Sequence, residues 1–272
     1  LEQNVKNKSY RPKAMKTKNT KRIWILMNRA IALMLILAGT GLYFSCNRGT
    51  GSSAESALSE AIVTSEPSDE QARDTSEWRQ LFNGEDLTGW KHAGNGSMSV
   101  EGGLIRGHGG MGLLYWTGEK FGNCKIRVVF KMEKTNSNSG VFVRVPIEPY
   151  EEWMPVYYGH EIQIDNMPEL SGETEYHSTG MIYSLTKPLV PNMGKPGPEW
   201  NTFEITLDGP RTIVYLNGVK VTDYTDGDPV PPRTWDFEPF QGPRPDYGYL
   251  GLQNHGEEDV VYFKEVAVKA LR

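Results

Sequence analysis

The sequence predicts an all-β domain, an antiparallel sandwich or barrel. Three observations carry this: apolar residues recur with a period of two, residues that tolerate positive φ punctuate the runs, and no long amphipathic helix competes. The runs are Lys125–Met132, Gly140–Val145, His160–Asp165, Asn201–Asp208, Thr212–Asn217, Gly248–Gln253 and Val260–Lys269. Asn83-Gly84, Asn138-Ser-Gly140, Asp208-Gly209, Asn217-Gly218 and Asp226-Gly227 supply the turn chemistry that hairpins need. Two proline-rich stretches, Thr186–Trp200 and Asp228–Asp246, cannot be central strands because proline lacks the ladder N–H. They are read as loops that either bind a ligand or cover a sheet edge.

Composition narrows the class. Of 272 residues, 38% are apolar, with 7 Trp and 13 Tyr, too many for a disordered chain. The formal net charge of -5 hides an asymmetry: nine of the 29 basic residues, and one of the 34 acidic residues, precede residue 46. The remainder is strongly acidic and carries no Lys/Arg stripe, which excludes nucleic acid as a partner.

The basic start belongs to an export signal. Residues 27–46 join a short basic lead, an apolar run from Ala30 to Ala38 and small residues ahead of Cys46. The run is shorter than the ~20 apolar residues of a bilayer-crossing helix. Its end, Leu42-Tyr-Phe-Ser-Cys46, resembles the lipobox of bacterial lipoproteins, which implies acylation of Cys46, membrane contact through the lipid alone, and a periplasmic or cell-surface location. Residues 1–26 form an overlong lead, with Met15 and Met27 as alternative starts, and 47–76 has the composition of a flexible tether. The folded domain is expected over 77–272. Cys124 is then the remaining thiol, expected to be buried and inert.

Alternate residues of a strand share a face. With Ile162 and Ile164 in the core, Glu161, Gln163 and Asp165 stand on the opposite side; with Val141, Val143 and Val145 in the core, so do Phe142 and Arg144; with Leu250 and Leu252 inside, so do Gln253 and His255. One sheet face therefore collects two acids, two amides, an Arg and a His. Aromatic rings able to stack on a sugar are available in Trp153, Tyr158 and Tyr183, and also in Trp116, Tyr157 and Trp235.

Seven strings occur together: Leu81-Phe-Asn-Gly-Glu-Asp-Leu-Thr-Gly-Trp90, Asn138-Ser-Gly-Val-Phe-Val-Arg144, Glu161-Ile-Gln-Ile-Asp165, Thr179-Gly-Met-Ile-Tyr183, Glu199-Trp-Asn201, Leu216-Asn-Gly218 and Gly251-Leu-Gln-Asn-His-Gly256. In that order they resemble the 3-keto-disaccharide hydrolase family. The resemblance implies a concanavalin A-like jelly-roll β-sandwich of two curved antiparallel sheets that acts on sugars oxidised at C3.

The chemistry follows from spacing. Ordinary glycosidases set two carboxyls about 5–9.5 Å apart, whereas Glu161 and Asp165 are roughly 13 Å apart along an extended strand. A 3-keto sugar needs less, because its ketone acidifies C2–H and lets the C1 substituent leave by elimination, after which water adds back. Glu161 is then the base, Arg144 or a divalent ion stabilises the oxyanion, and His255 is the leaving-group acid, an ion ligand or the group that orients Glu161. Gln163, Asp165, Gln253, Tyr183, Trp153 and Tyr158 are expected to hold the substrate, a glycoside or oligosaccharide. Glu161 and His255 are ligand types for a metal ion, but no compact ligand motif accompanies them. Two other readings stay open: a non-catalytic carbohydrate-binding lipoprotein and a glucanase-like glycosidase. The glycine-rich stretch Gly107–Gly112 lacks the Lys-Ser/Thr of a phosphate loop and is read as a turn.

Overall fold

The computed structural model describes residues 77–168 and 174–271. The expected signal at 27–46 with Cys46, the lead 1–26 and the tether 47–76 lie outside the described residues. Thirteen strands form two sheets: β1 Arg79–Gln80, β2 Trp90–Gly94, β3 Ser97–Glu101, β4 Leu104–His108, β5 Gly112–Trp116, β6 Cys124–Met132, β7 Ser139–Val145, β8 His160–Ile164, β9 Asn201–Asp208, β10 Arg211–Leu216, β11 Val219–Thr225, β12 Tyr249–Asn254 and β13 Val261–Ala270. One sheet runs β11-β10-β9-β6-β13-β4-β3, with β1 also pairing β13; the other runs β2-β5-β12-β7-β8. Every pairing is antiparallel, and the result is a jelly-roll sandwich.

Alternation explains which side of each strand is dry. On β6, Ile126, Val128 and Phe130 point into the space between the sheets and meet Val141, Ile162, Ile164, Phe203, Ile205, Leu250 and Leu252 in one core. Cys124 joins it, and burial pushes its thiol up to about 12, consistent with an inert residue. Asn217 and Gly218, at φ 53 and 83, make the two-residue turn between β10 and β11. Both proline-rich stretches are loops.

The five-stranded sheet has a second apolar side. Leu113 and Tyr115 of β5, Phe142 and Val145 of β7, and Ala93 of β2 pack under Met154 and Val156 of a five-residue helix, α1 (Met154–Tyr158). Part of the face opposite the core is thus filled with hydrocarbon, and the open remainder lies toward the β8 and Asn254 ends.

The expected alternation of β7 fails at Arg144. Tyr249 pairs with Val145 but Gly251 pairs with Phe142, so three steps on β7 match two on β12. This bulge puts Arg144 at φ 57 and reverses the sides after Val143. Val145 goes to the outer cluster, and the fully buried Arg144 reaches across the sandwich. Its Nη2 donates to the carbonyls of Gly209 (2.6 Å) and Arg211 (3.1 Å), Nη1 to that of Pro245 (3.0 Å), and Nε to Thr212 Oγ1 (3.3 Å). Beside it, His160 is buried, and desolvation together with the charges of Arg244 and Arg144 holds its ring well below the usual imidazole range.

Candidate functional site

A cavity of about 190 Å³ opens on the free part of the five-stranded sheet, lined by Met111, Asn138, Trp153, Val156, Glu161, Gln163, Tyr183, Phe237, Gln253 and His255. Glu161 and Gln163 come from β8, Gln253 from β12, and His255 from the turn just beyond it. Sequence alternation therefore brings together Glu161, Gln163, Gln253, His255, Trp153 and Tyr183, as expected from their shared face and from the adjoining loops.

Each polar group has a mechanical support. A Cβ on Gly140 would lie 2.4 Å from Glu161 Oε1 and 2.7 Å from its Cγ, so the carboxylate rests across the bare backbone of β7. Gln163 Nε2 donates to Asn138 Oδ1 (3.4 Å), and Asn138 Nδ2 to Asp165 Oδ2 (3.4 Å). Among the described residues, Gln163 Oε1 and Gln253 Oε1 are buried acceptors without a hydrogen-bond partner. Such atoms are costly unless a ligand donor meets them. His255 Nδ1 lies 2.8 Å from Asp259 Oδ2, and Asp259 Oδ1 accepts from Asn138 N at 2.9 Å. Burial pushes the Asp259 carboxyl up, but the bonds from His255 and Asn138 outweigh it and hold it below the usual range. The pairing assigns the Nδ1 proton to the side of Asp259 and leaves Nε2 for other work.

The floor is framed by Asn254 and His177, which do not line the cavity. Asn254 Nδ2 donates to the carbonyls of His108 and Gly110, both at 2.7 Å, which curls the Gly107–Gly112 turn and sets Met111 at the cavity wall. Tyr183 packs on the His177 ring with centroids 4.7 Å apart, and its N–H donates to the Glu161 carbonyl (2.9 Å).

Several expected residues stand elsewhere. Arg144 leaves the face through the bulge and cannot stabilise an oxyanion in this cavity. Asp165 lines a neighbouring polar cavity of about 210 Å³ with Asn166, Thr179 and Asn192. Contrary to the expected strand run, it lies just past the end of β8, where the chain turns to the adjacent hollow, and Asn138 stands between the two. Tyr158 packs its edge on Phe240 at 5.3 Å, outside the cavity lining. Trp116 packs edge-on against Trp90 at 5.5 Å beside the core, and Tyr157 stacks between Trp153 and Phe240. Trp235 stacks on Phe237, which does line the cavity. Asn138 and Phe237 in the lining and Asp259 behind His255 are the positions of the candidate site that sequence reading missed. Asn138 reads as a turn residue, Asp259 as one of several acids in a solvated turn, and Phe237 as part of an aperiodic proline-rich loop.

Among the described residues no three His, Cys, Asp or Glu side chains gather to hold an ion. Asp259 already bonds His255, which leaves one carboxylate and one imidazole on the cavity wall.

Amide and carboxylate side chains on one open sheet face, walled by rings, are the build of a carbohydrate-handling sandwich. The profile of the 3-keto-alpha-glucoside-1,2-lyase-like domain matches residues 77–269, and the chain belongs to this family of carbohydrate-acting, glycosyl hydrolase-like proteins. Two solved structures from Parabacteroides distasonis, each described as a "putative glycosyl hydrolase", are similar. One is 27% identical, with a TM-score of 0.59, over 72% of this chain and 94% of its own. The other is 22% identical, with a TM-score of 0.59, over 72% of this chain and 100% of its own, and shares the fold. No curated protein matches the sequence.

Proposed function

We propose that this protein cleaves 3-keto glycosides by elimination across C1–C2 followed by hydration. The observation that carries the reading is the pair of buried, partnerless acceptors, Gln163 Oε1 and Gln253 Oε1, on the same cavity wall as Glu161 and His255. The acceptors suit sugar hydroxyls. Glu161 takes the C2 proton, the C2–H electrons pass through the enolate to form C1=C2, and the C1–O bond breaks. His255, its Nδ1 held by Asp259, gives its Nε2 proton to the departing oxygen and then takes one from the water that adds at C1, while Glu161 returns its proton to C2. The sum is glycoside plus water to 3-keto sugar plus alcohol. Ordinary double-carboxylate hydrolysis is a poorer fit, since Glu161 is the one carboxylate among the cavity-lining residues.

Purified protein incubated with a 3-keto-disaccharide should release the second sugar, and Glu161→Gln should abolish release at an unchanged melting temperature. Saturable binding without product, in the parent protein, would instead make this a carbohydrate-binding module. The same reading has the chain exported and held to a membrane by acylated Cys46. Cys46→Ala should then move the protein from the membrane fraction to the soluble one, and unaltered membrane association would sink the anchor.

A further inference from the structure

The cavity is too small for a whole glycoside. Sites that enclose a drug-sized ligand run to about 300–1,000 Å³, against about 190 Å³ here. If one sugar ring occupies the polar floor, the group on C1 must lie over the rim.

That rim is aromatic and open. Trp153 and Phe237 line the mouth yet stay 38% and 39% exposed, and Trp235 is 57% exposed. The rings of Trp235 and Phe237 lie 4° from parallel with centroids 5.9 Å apart, which extends flat apolar surface outward from the mouth. Exposed rings of this size are usually tolerated singly; a contiguous set beside a cavity marks a contact surface.

The rings are also held still. Glu238, buried in the loop, accepts from the N–H groups of Thr234 and Trp235 (2.8 Å to the latter) and from Ser184 Oγ (3.2 Å). Arg233 bonds the carbonyls of Glu238 and Asp236 and lies over the Phe240 ring. Phe240 N donates to the Tyr157 carbonyl, and Arg244 to those of Gly159 and Tyr157. Arg233 and Glu238 hold the stretch, so the rim presents the rings of Trp235 and Phe237 with the exposed Asp236 between them in sequence.

We propose that Trp153, Phe237 and Trp235 form a leaving-group subsite for a planar aromatic aglycone. This rests on the reading of the cavity as the site of the reacting sugar ring, and the experiment separates the two. Calorimetric titration of the full chain with phenyl and methyl glucoside should give about tenfold tighter binding of the phenyl compound, the scale of one or two ring contacts. Trp235→Ala, outside the cavity lining, should bring phenyl down toward the methyl value while leaving methyl glucoside unchanged. Tyr247→Ala, which removes an exposed ring outside the cavity lining, should change neither. Equal affinities in the parent protein, or a Trp235→Ala variant that loses both ligands alike, overturns the subsite while sparing the cavity. Tighter binding of a glucosyl-glucose disaccharide than of phenyl glucoside overturns the aromatic assignment in favour of a second sugar ring. If neither glucoside binds, the reading of the cavity falls and takes the rim with it.

Discussion

The position of one carboxylate depends on what is missing from the residue beside it. Glu161 lies against Gly140, where any side chain would begin 2.4 Å from Oε1. The obstructed atom is the far end of a movable side chain, so Gly140→Ala should shift the acid and leave the strand intact. We expect activity on a 3-keto glycoside to fall about a hundredfold, the cost of misplacing a reacting group by about an ångström, with a melting temperature close to that of the parent. Undiminished turnover would mean that the base is not held by this contact. The same contact shows how much of the site could be read in advance. Glu161, Gln163, Gln253 and His255 were legible because strand period alone assigns them to one face. Asp259 and Asn138 were not, because the bond joining them spans 121 residues and no local pattern encodes it.

At the scale of the element, the β10–β11 hairpin is pinned by charge as well as by its turn. Arg211 forks onto Asp223 with both bonds at 2.8 Å and Lys220 adds a third at 2.9 Å, which together hold the Asp223 carboxyl down at about 2. An acid depressed by folding stabilises the fold above its ordinary pKa and loses that contribution as the pH falls through the depressed value. The Arg211 and Lys220 side chains are 46% and 42% exposed, so solvent screening reduces the effect. Asp223→Asn should therefore cost about 1 kcal/mol at neutral pH in urea titrations, and the gap from the parent should close between about pH 4 and pH 2. A gap that persists at pH 2 would assign the loss to something other than the ion pair. The hairpin was half visible in sequence: β10 alternates cleanly, while β11 carries Asp and Lys with few apolar positions. On the other sheet, β5 was missed for the opposite reason. Leu114 packs in the core while Leu113 and Tyr115 pack outside it, so a strand buried on both faces reads as a featureless apolar run.

For the whole molecule, the question is what ties the sheets together beyond hydrocarbon. Arg144 is the largest fully buried side chain, and it joins a bulge of the five-stranded sheet to the β9–β10 turn of the other sheet and to Pro245 of the long loop. Among the described residues no carboxylate is in direct contact with its guanidinium, which desolvation lowers, with Asp226 and Asp246 opposing that from a distance. Three backbone carbonyls depend on it, and only a planar fork with several donors can meet them together. Sequence alternation assigned this residue to the ligand face, since Val-Phe-Val-Arg-Val has a regular period and a bulge leaves no mark on hydrophobicity. The two assignments predict opposite outcomes. As a strut, Arg144→Lys keeps the charge but strands buried acceptors, so the unfolding free energy should drop by about 3 kcal/mol, while the protein that remains folded should bind methyl glucoside as the parent does. As an oxyanion donor, the same variant would melt normally and lose turnover. Urea titration and calorimetry on this single substitution decide between them, and the bonds across the sandwich argue for the first.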